Sequence, residues 1–228
     1  NNILKNNPEK KDIIKVIHRG ADIEMFNPEN IPTSRIIQIS EMLQLPDEAK
    51  IIMLPARPSS WKGHELLLNY FSLLQQKHKD TFNIHIISLN KSKEEKKIQL
   101  LINKLNISKK IIIHKPTLDV KKLYQEAYLV VNISKRPEGF GRTVSEALSV
   151  SKVVIAPNQG GTKEQLFNFN KNLLFDVNSF KSFQKTFKYA LKNYKEISKK
   201  GRSYVEKNYS SDLMCRKTLD IYNHLINS

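Results

Sequence analysis

Short apolar runs rich in β-branched residues alternate along the chain with stretches whose apolar positions recur every three to four residues. The runs at 13–18, 51–55, 82–89, 110–114, 128–134, 153–156 and 173–175 read as strands. Between them, 65–75 gathers Leu66, Leu67, Tyr70, Phe71 and Leu74 on one helical face. Residues 93–106 align Ile98, Leu101, Ile102 and Leu105, and 120–127 add Leu123 and Tyr124. Ile51-Ile52-Met53-Leu54 and Ile111-Ile112-Ile113 are apolar at every position, as in strands covered on both faces. This alternation predicts βαβ units and an α/β, Rossmann-like, doubly wound and mostly parallel sheet with helices on both faces.

After Phe175 the strand pattern stops. Residues 179–191, 194–208 and 212–226 read as successive helices, with Phe180, Phe183, Phe187, Tyr194, Ile197, Leu213, Leu219, Tyr222 and Leu225 expected on buried faces. No period of 20–50 residues repeats.

The 228 residues are 39% hydrophobic, enough for a packed core. No apolar run approaches a membrane span, and the N-terminus shows no signal-peptide pattern. The lone Cys215 cannot close an internal disulfide, so the expected compartment is the reducing cytoplasm. Its opening in Asn/Lys-rich sequence without Met suggests a piece of a longer chain. Basic residues outnumber acidic ones by 38 to 22, a net charge of +16. Such a charge suits a polyanion, but only seven of the 38 are arginine, and the pairs Lys10-Lys11, Lys96-Lys97, Lys109-Lys110, Lys121-Lys122 and Lys199-Lys200 are scattered. Heavy lysine, asparagine and isoleucine usage also follows from A/T-rich coding. Nucleic acid is therefore not the expected partner, whereas an anionic membrane surface is compatible with the charge.

In an open α/β sheet, ligands bind beyond the carboxyl ends of strands, which directs attention to three loops. After 51–55 comes Ala56-Arg57-Pro58-Ser59-Ser60-Trp61-Lys62-Gly63, in which Arg57 and Lys62 offer charge-assisted bonds from two directions, as a diphosphate requires. After 128–134, Glu138-Gly139-Phe140-Gly141-Arg142-Thr143 precedes a helix carrying Glu146. Glycines there admit a ligand to the backbone, the helix tip favours an anion, and each carboxylate can accept two hydroxyls of a vicinal diol. Glu138 complementing the helix dipole, with both glutamates as surface residues, is the plainer alternative. After 153–156, Gly160-Gly161-Thr162-Lys163-Glu164 opens another helix, with Thr162 or Gly161 near its cap. The Walker order and the dinucleotide G-x-G-x-x-G are both absent.

Taken in order, Arg57…Lys62-Gly63, Glu138-Gly139-Phe140-Gly141…Glu146-Ala147 and Gly160-Gly161-Thr162-Lys163-Glu164 resemble the nucleotide-sugar-binding, C-terminal domain of retaining glycosyltransferases of family 4, which have the two-domain GT-B architecture. The segment Val16-Ile17-His18-Arg19-Gly20-Ala21-Asp22, with Phe26-Asn27-Pro28, is similar to the start of that domain. The resemblance covers about residues 13 to 190. Ala56 stands where glycine is commoner, Ser151-Lys152 replaces a Gly-x-Pro stretch, and Arg19 replaces a frequent asparagine.

This resemblance implies that Arg57 and Lys62 neutralise the donor diphosphate and that backbone amides near Gly141, Arg142 and Thr143 cradle its β-phosphate. Glu138 would hold donor-sugar hydroxyls, Glu146 the ribose, with Gly139 and Phe140 in the same loop. Arg57, Lys62 and Glu138 are the expected catalytic groups, and Lys115 and Pro116, beside His114, would border the base. It further implies a nucleotide sugar as co-substrate, no cofactor, no catalytic metal, and a saccharide or lipid-linked acceptor of the cell envelope held by an N-terminal domain. Residues 1–12 are then a linker, 13–178 the Rossmann-like donor domain, and 179–228 helices that pack on it and reach toward that partner domain. The chain alone would bind donor but transfer poorly. A glycan synthase or phosphorylase-like relative, or a basic polyanion-binding module, are the alternatives. His64 and His78 read as helix-surface residues and His18 as packed. Trp61 is a candidate to stack on an acceptor or dock the partner domain, and Cys215 reads as inert.

Overall fold

The computed structural model describes residues 7–10, 13–30, 32, 34, 37, 41, 50–77, 82–87, 93–114 and 120–227. Where the β-branched runs are densest, six strands form among these residues: β1 (Lys50–Leu54), β2 (Phe82–Ile87), β3 (Ile111–His114), β4 (Leu129–Val131), β5 (Val153–Pro157) and β6 (Leu174–Phe175). They pair in the order β3-β2-β1-β4-β5-β6, every neighbour parallel. The register places Ile52 between Ile84 and Leu129, and Val131 beside Ile155. Ile51–Leu54, β4 and β5 are buried at every residue, the consequence of helices on both faces. From β1 the chain winds outward through β2 and β3, then returns to β4 on the other side of β1. The carboxyl ends of β1 and β4 therefore flank a crevice at the switch point.

The connecting helices are α1 (His64–Lys77), α2 (Lys93–Lys104), α3 (Val120–Glu126), α4 (Arg142–Ser149), α5 (Gly160–Asn170) and α6 (Phe180–Lys192), followed by α7 (Tyr194–Asn208) and α8 (Ser211–Ile226). The periodic faces do what their spacing demands: Leu67, Leu74, Ile98, Ile102, Leu123, Phe183, Phe187 and Ile197 all lie in the core. Ser179 caps α6 by accepting from the Ser182 amide, and Ser210 caps α8 by accepting from that of Leu213.

Several expectations need correction. Residues 13–18 form no strand, since their backbone pairs with none of the six. Ile13 and Val16 are 78% and 60% exposed, and just beyond the segment Ala21 forms a bridge with Ser210. Arg202 secures this segment further along, donating to the carbonyls of Ile23, Phe26 and Ser149. The run at 128–134 is a strand only over Leu129–Val131; the Asn132 amide still donates to the Ile155 carbonyl, and the buried Asn132 and Ser134 open the loop that follows. Helix α8 forms, but Leu219, Tyr222 and Leu225 are exposed, because no described element covers that face. Helix α5 begins at Gly160 with Gln159 at its cap, in place of Gly161 or Thr162. The Thr162 hydroxyl instead donates back to the carbonyls of Pro157 and Gln159, which pins the turn.

Candidate functional site

A cleft of about 1640 Å³ opens at the switch point, and Arg57, Lys62, Glu138, Gly139, Phe140, Gly141, Arg142, Thr143 and Glu146 all line it. Sequence-remote loops meet there because glycines let them touch backbone to backbone. The Gly161 amide donates to the Glu138 carbonyl at 2.8 Å, and a Cβ on Gly161 would lie 2.4 Å from the Phe140 oxygen. Gly63, at φ +77°, approaches the Ile133 carbonyl so closely that a Cβ would sit 2.1 Å from it.

Glu138 is the most heavily bonded group in the cleft. One of its oxygens receives Lys62 Nζ at 3.0 Å, Asn132 Nδ2 at 3.1 Å and the Ser134 hydroxyl. Burial alone would push the carboxyl up, but the bonds from Ser134, Lys62 and Asn132 and the Lys62 charge outweigh it and hold the group below its ordinary range. Lys62 also lies over the Trp61 ring, 4.2 Å from its centroid, and keeps further N–H donors for a ligand. Half-buried Trp61 thereby supports the cation that pairs with Glu138. Arg57 is exposed at the same rim.

Glu146 stands one turn into α4. Arg142 meets one of its oxygens at 3.0 Å, and the buried Tyr124 hydroxyl donates to the other at 2.9 Å. Burial, then the charge and hydrogen bond of Glu146, raise the Tyr124 phenol well above its usual range, so it stays a neutral donor. Gly141 precedes α4 at φ +80°, and the first amides of that helix have no intrahelical acceptor.

Residues missed by the sequence reading complete the site. Asn132 and Ser134, two apart after an otherwise apolar strand and just before Glu138, were the available signal for its cradle. Tyr124 showed only as an apolar helix position. His64 is buried rather than on the surface: its Nε2–H donates to the Ala56 carbonyl at 2.9 Å, tying α1 to the cationic loop. Burial, opposed by that bond and aided by the Lys62 charge, lowers its pKa to about 4. His18 is exposed, not packed, and lines the cleft with its ring edge against Tyr209, 5.6 Å between centroids. Lys115, Pro116 and His78 lie outside the described residues. Cys215 is exposed. Among the described residues no group of three His, Cys, Asp or Glu side chains could hold a metal ion, and no helix is long and apolar enough to cross a membrane.

The sheet order and the cleft define a Rossmann-like α/β domain of the kind seen in GT-B glycosyltransferases. Residues 36–209 match the glycosyl transferases group 1 family, and the chain belongs to it. A Bacillus subtilis (strain 168) relative, "Putative glycosyltransferase YtcC", is 24% identical across 98% of this chain and 58% of its own length. A crystal structure of a glycosyltransferase from Rickettsia africae ESF-5 superposes with TM-score 0.89 at 29% identity, over 99% of this chain and 61% of that one. Anabaena Alr3699/HepE, crystallised with UDP and glucose, superposes with TM-score 0.80 at 18% identity, over 92% of this chain and 57% of that one. The chain thus spans about three-fifths of the length of these relatives.

Proposed function

We propose that this chain is the donor-binding domain of a retaining glycosyltransferase of family 4, which holds a nucleotide-diphosphate sugar for transfer to a saccharide or lipid-linked acceptor of the cell envelope. The observation that carries the reading is the convergence of Arg57, Lys62, Glu138 and Glu146 on one cleft around the tip of α4. HepE, of the same fold, has been crystallised with UDP-glucose, which supports a nucleotide sugar as the ligand.

In this reading, Glu146 accepts the ribose hydroxyls, its carboxylate aimed by Tyr124 and Arg142. The amides at Gly141, Arg142 and Thr143, with Lys62 and Arg57, receive the diphosphate. Glu138, ionised and fixed by Ser134, Asn132 and Lys62, accepts hydroxyls of the sugar. As the anomeric C–O bond breaks, negative charge grows on the departing diphosphate, and preorganised cations and amides stabilise it most where it grows most. No cofactor or metal is assigned a step. The acceptor falls to an N-terminal domain; the exposed apolar residues of α8, with Ile13 and Val16, support a further domain packing on this one.

The test is the melting temperature of the chain with UDP, GDP, ADP and their sugars. A ligand at 100 times its Kd adds about 2.7 kcal/mol of stability. One nucleotide series is expected to stabilise the wild type and not Glu146→Ala. Stabilisation by short DNA or RNA with none by any nucleotide would refute the proposal in favour of a polyanion-binding module.

A further inference from the structure

Gln165 is buried at 1% exposure inside α5, on the far side of the loop that opens α4. Its side-chain amide nitrogen reaches two successive carbonyls, those of Phe140 and Gly141, the latter at 3.2 Å. Both partners are carbonyl oxygens, so chemistry alone fixes the NH2 on that side. The Gln165 Oε1 is left buried without a hydrogen-bond partner. A buried amide with half its capacity unused is costly, and a leucine or valine would fill the same helix face without that cost.

What the glutamine provides is orientation. In a trans peptide the N–H lies opposite the C=O, so turning the Phe140 carbonyl toward α5 turns the Gly141 N–H away from it. The Gly141 carbonyl, held by the same nitrogen and by the Val144 amide, does likewise for the N–H of Arg142. Gly161 permits the approach, since a Cβ there would lie 2.4 Å from the Phe140 oxygen. These two N–H groups open α4, where Phe140, Gly141 and Arg142 border the cleft. A left-handed Gly141 could otherwise flip its flanking peptides at little cost.

We propose that Gln165 is a positioning residue for the diphosphate: it locks the Phe140–Gly141 and Gly141–Arg142 peptides with their N–H groups toward the ligand. The inference rests on the nucleotide-sugar reading above. Its test is the ratio of monophosphate to diphosphate Kd, measured by calorimetry for the uridine, guanosine and adenosine pairs, in wild type and in Gln165→Met. The wild type is expected to prefer one diphosphate, and the variant to lose about tenfold of that preference while binding the monophosphate as before. A merely structural role would weaken both ligands equally, and that result, or an unchanged ratio, overturns the inference while leaving the nucleotide reading intact. A wild type that binds no nucleotide overturns both. Should Gln165→Met fail to fold, Gln165→Leu keeps most of the buried volume and removes the donor. Failure of both to fold would show a structural role and overturn the inference.

Discussion

Replacing Tyr124 by phenylalanine removes one oxygen and leaves the ring in place, edge-on to Phe26 with centroids 5.7 Å apart. The hydroxyl it deletes donates to Glu146 from a fully buried position. A hydrogen bond to a charged group contributes about 1.5–3 kcal/mol. In a chain of this size each kcal/mol corresponds to about 2–4 °C of Tm, so Tyr124→Phe should melt about 3–12 °C lower. The urea midpoint should fall with the slope unchanged, because the surface exposed on unfolding is the same. A double-mutant cycle with Glu146→Gln isolates the pair, and its coupling should account for most of the loss. Nucleotide affinity should drop as well, since the carboxylate loses one of the two contacts that aim it. Stability within about 0.5 kcal/mol of wild type together with undiminished nucleotide binding would refute the assignment of Tyr124 as the support of Glu146.

Gly139 and Gly161 should separate two roles of glycine. Gly139→Ala adds a methyl that meets nothing within 4 Å, so the urea midpoint should not move, while the added bulk at a residue lining the cleft should weaken donor binding about tenfold or more. Gly161→Ala, driven against the Phe140 backbone, should cost more than about 2 kcal/mol in the same titration. Acid titration should expose His64: unfolded imidazole takes its proton near 6.5 and the folded one only at about 4, so stability is complete above 6.5 and falls between those values. The loss is on the order of 3 kcal/mol, and His64→Gln, followed by urea midpoint against pH, should flatten that part of the curve. Arg57→Ala, at an exposed position without an ion pair among the described residues, should leave Tm unchanged and weaken a nucleoside diphosphate about tenfold by calorimetry.

Most of the sheet was legible because its central strands β1, β4 and β5 are buried on both faces and so are almost continuously apolar. The helices from 65 onward were legible because their apolar faces repeat every turn. The segment at 13–18 has the composition of a strand but pairs with none of the six, and pairing is a non-local property that composition does not carry. Leu219, Tyr222 and Leu225 failed for a related reason: an apolar helical face states that something covers it, not that this chain does. At the site, the charged and glycine positions could be read from their places after strands, but their supports could not. Tyr124, Gln165 and His64 act through side chains that cross from other elements, and a lone polar residue on a helix looks the same in sequence whether it is solvated or buried against a carbonyl.

A division of labour between two carboxylates stands at the centre of the account, and calorimetry with a nucleoside diphosphate and its sugar conjugate tests it most directly. Glu146→Ala should weaken both ligands by the same factor, whereas Glu138→Ala should keep the diphosphate at least as tightly bound, since Lys62 loses its counter-charge, and erase the extra affinity of the conjugate. Two variants that behave alike, or a Glu138→Ala that loses the bare diphosphate, would contradict it.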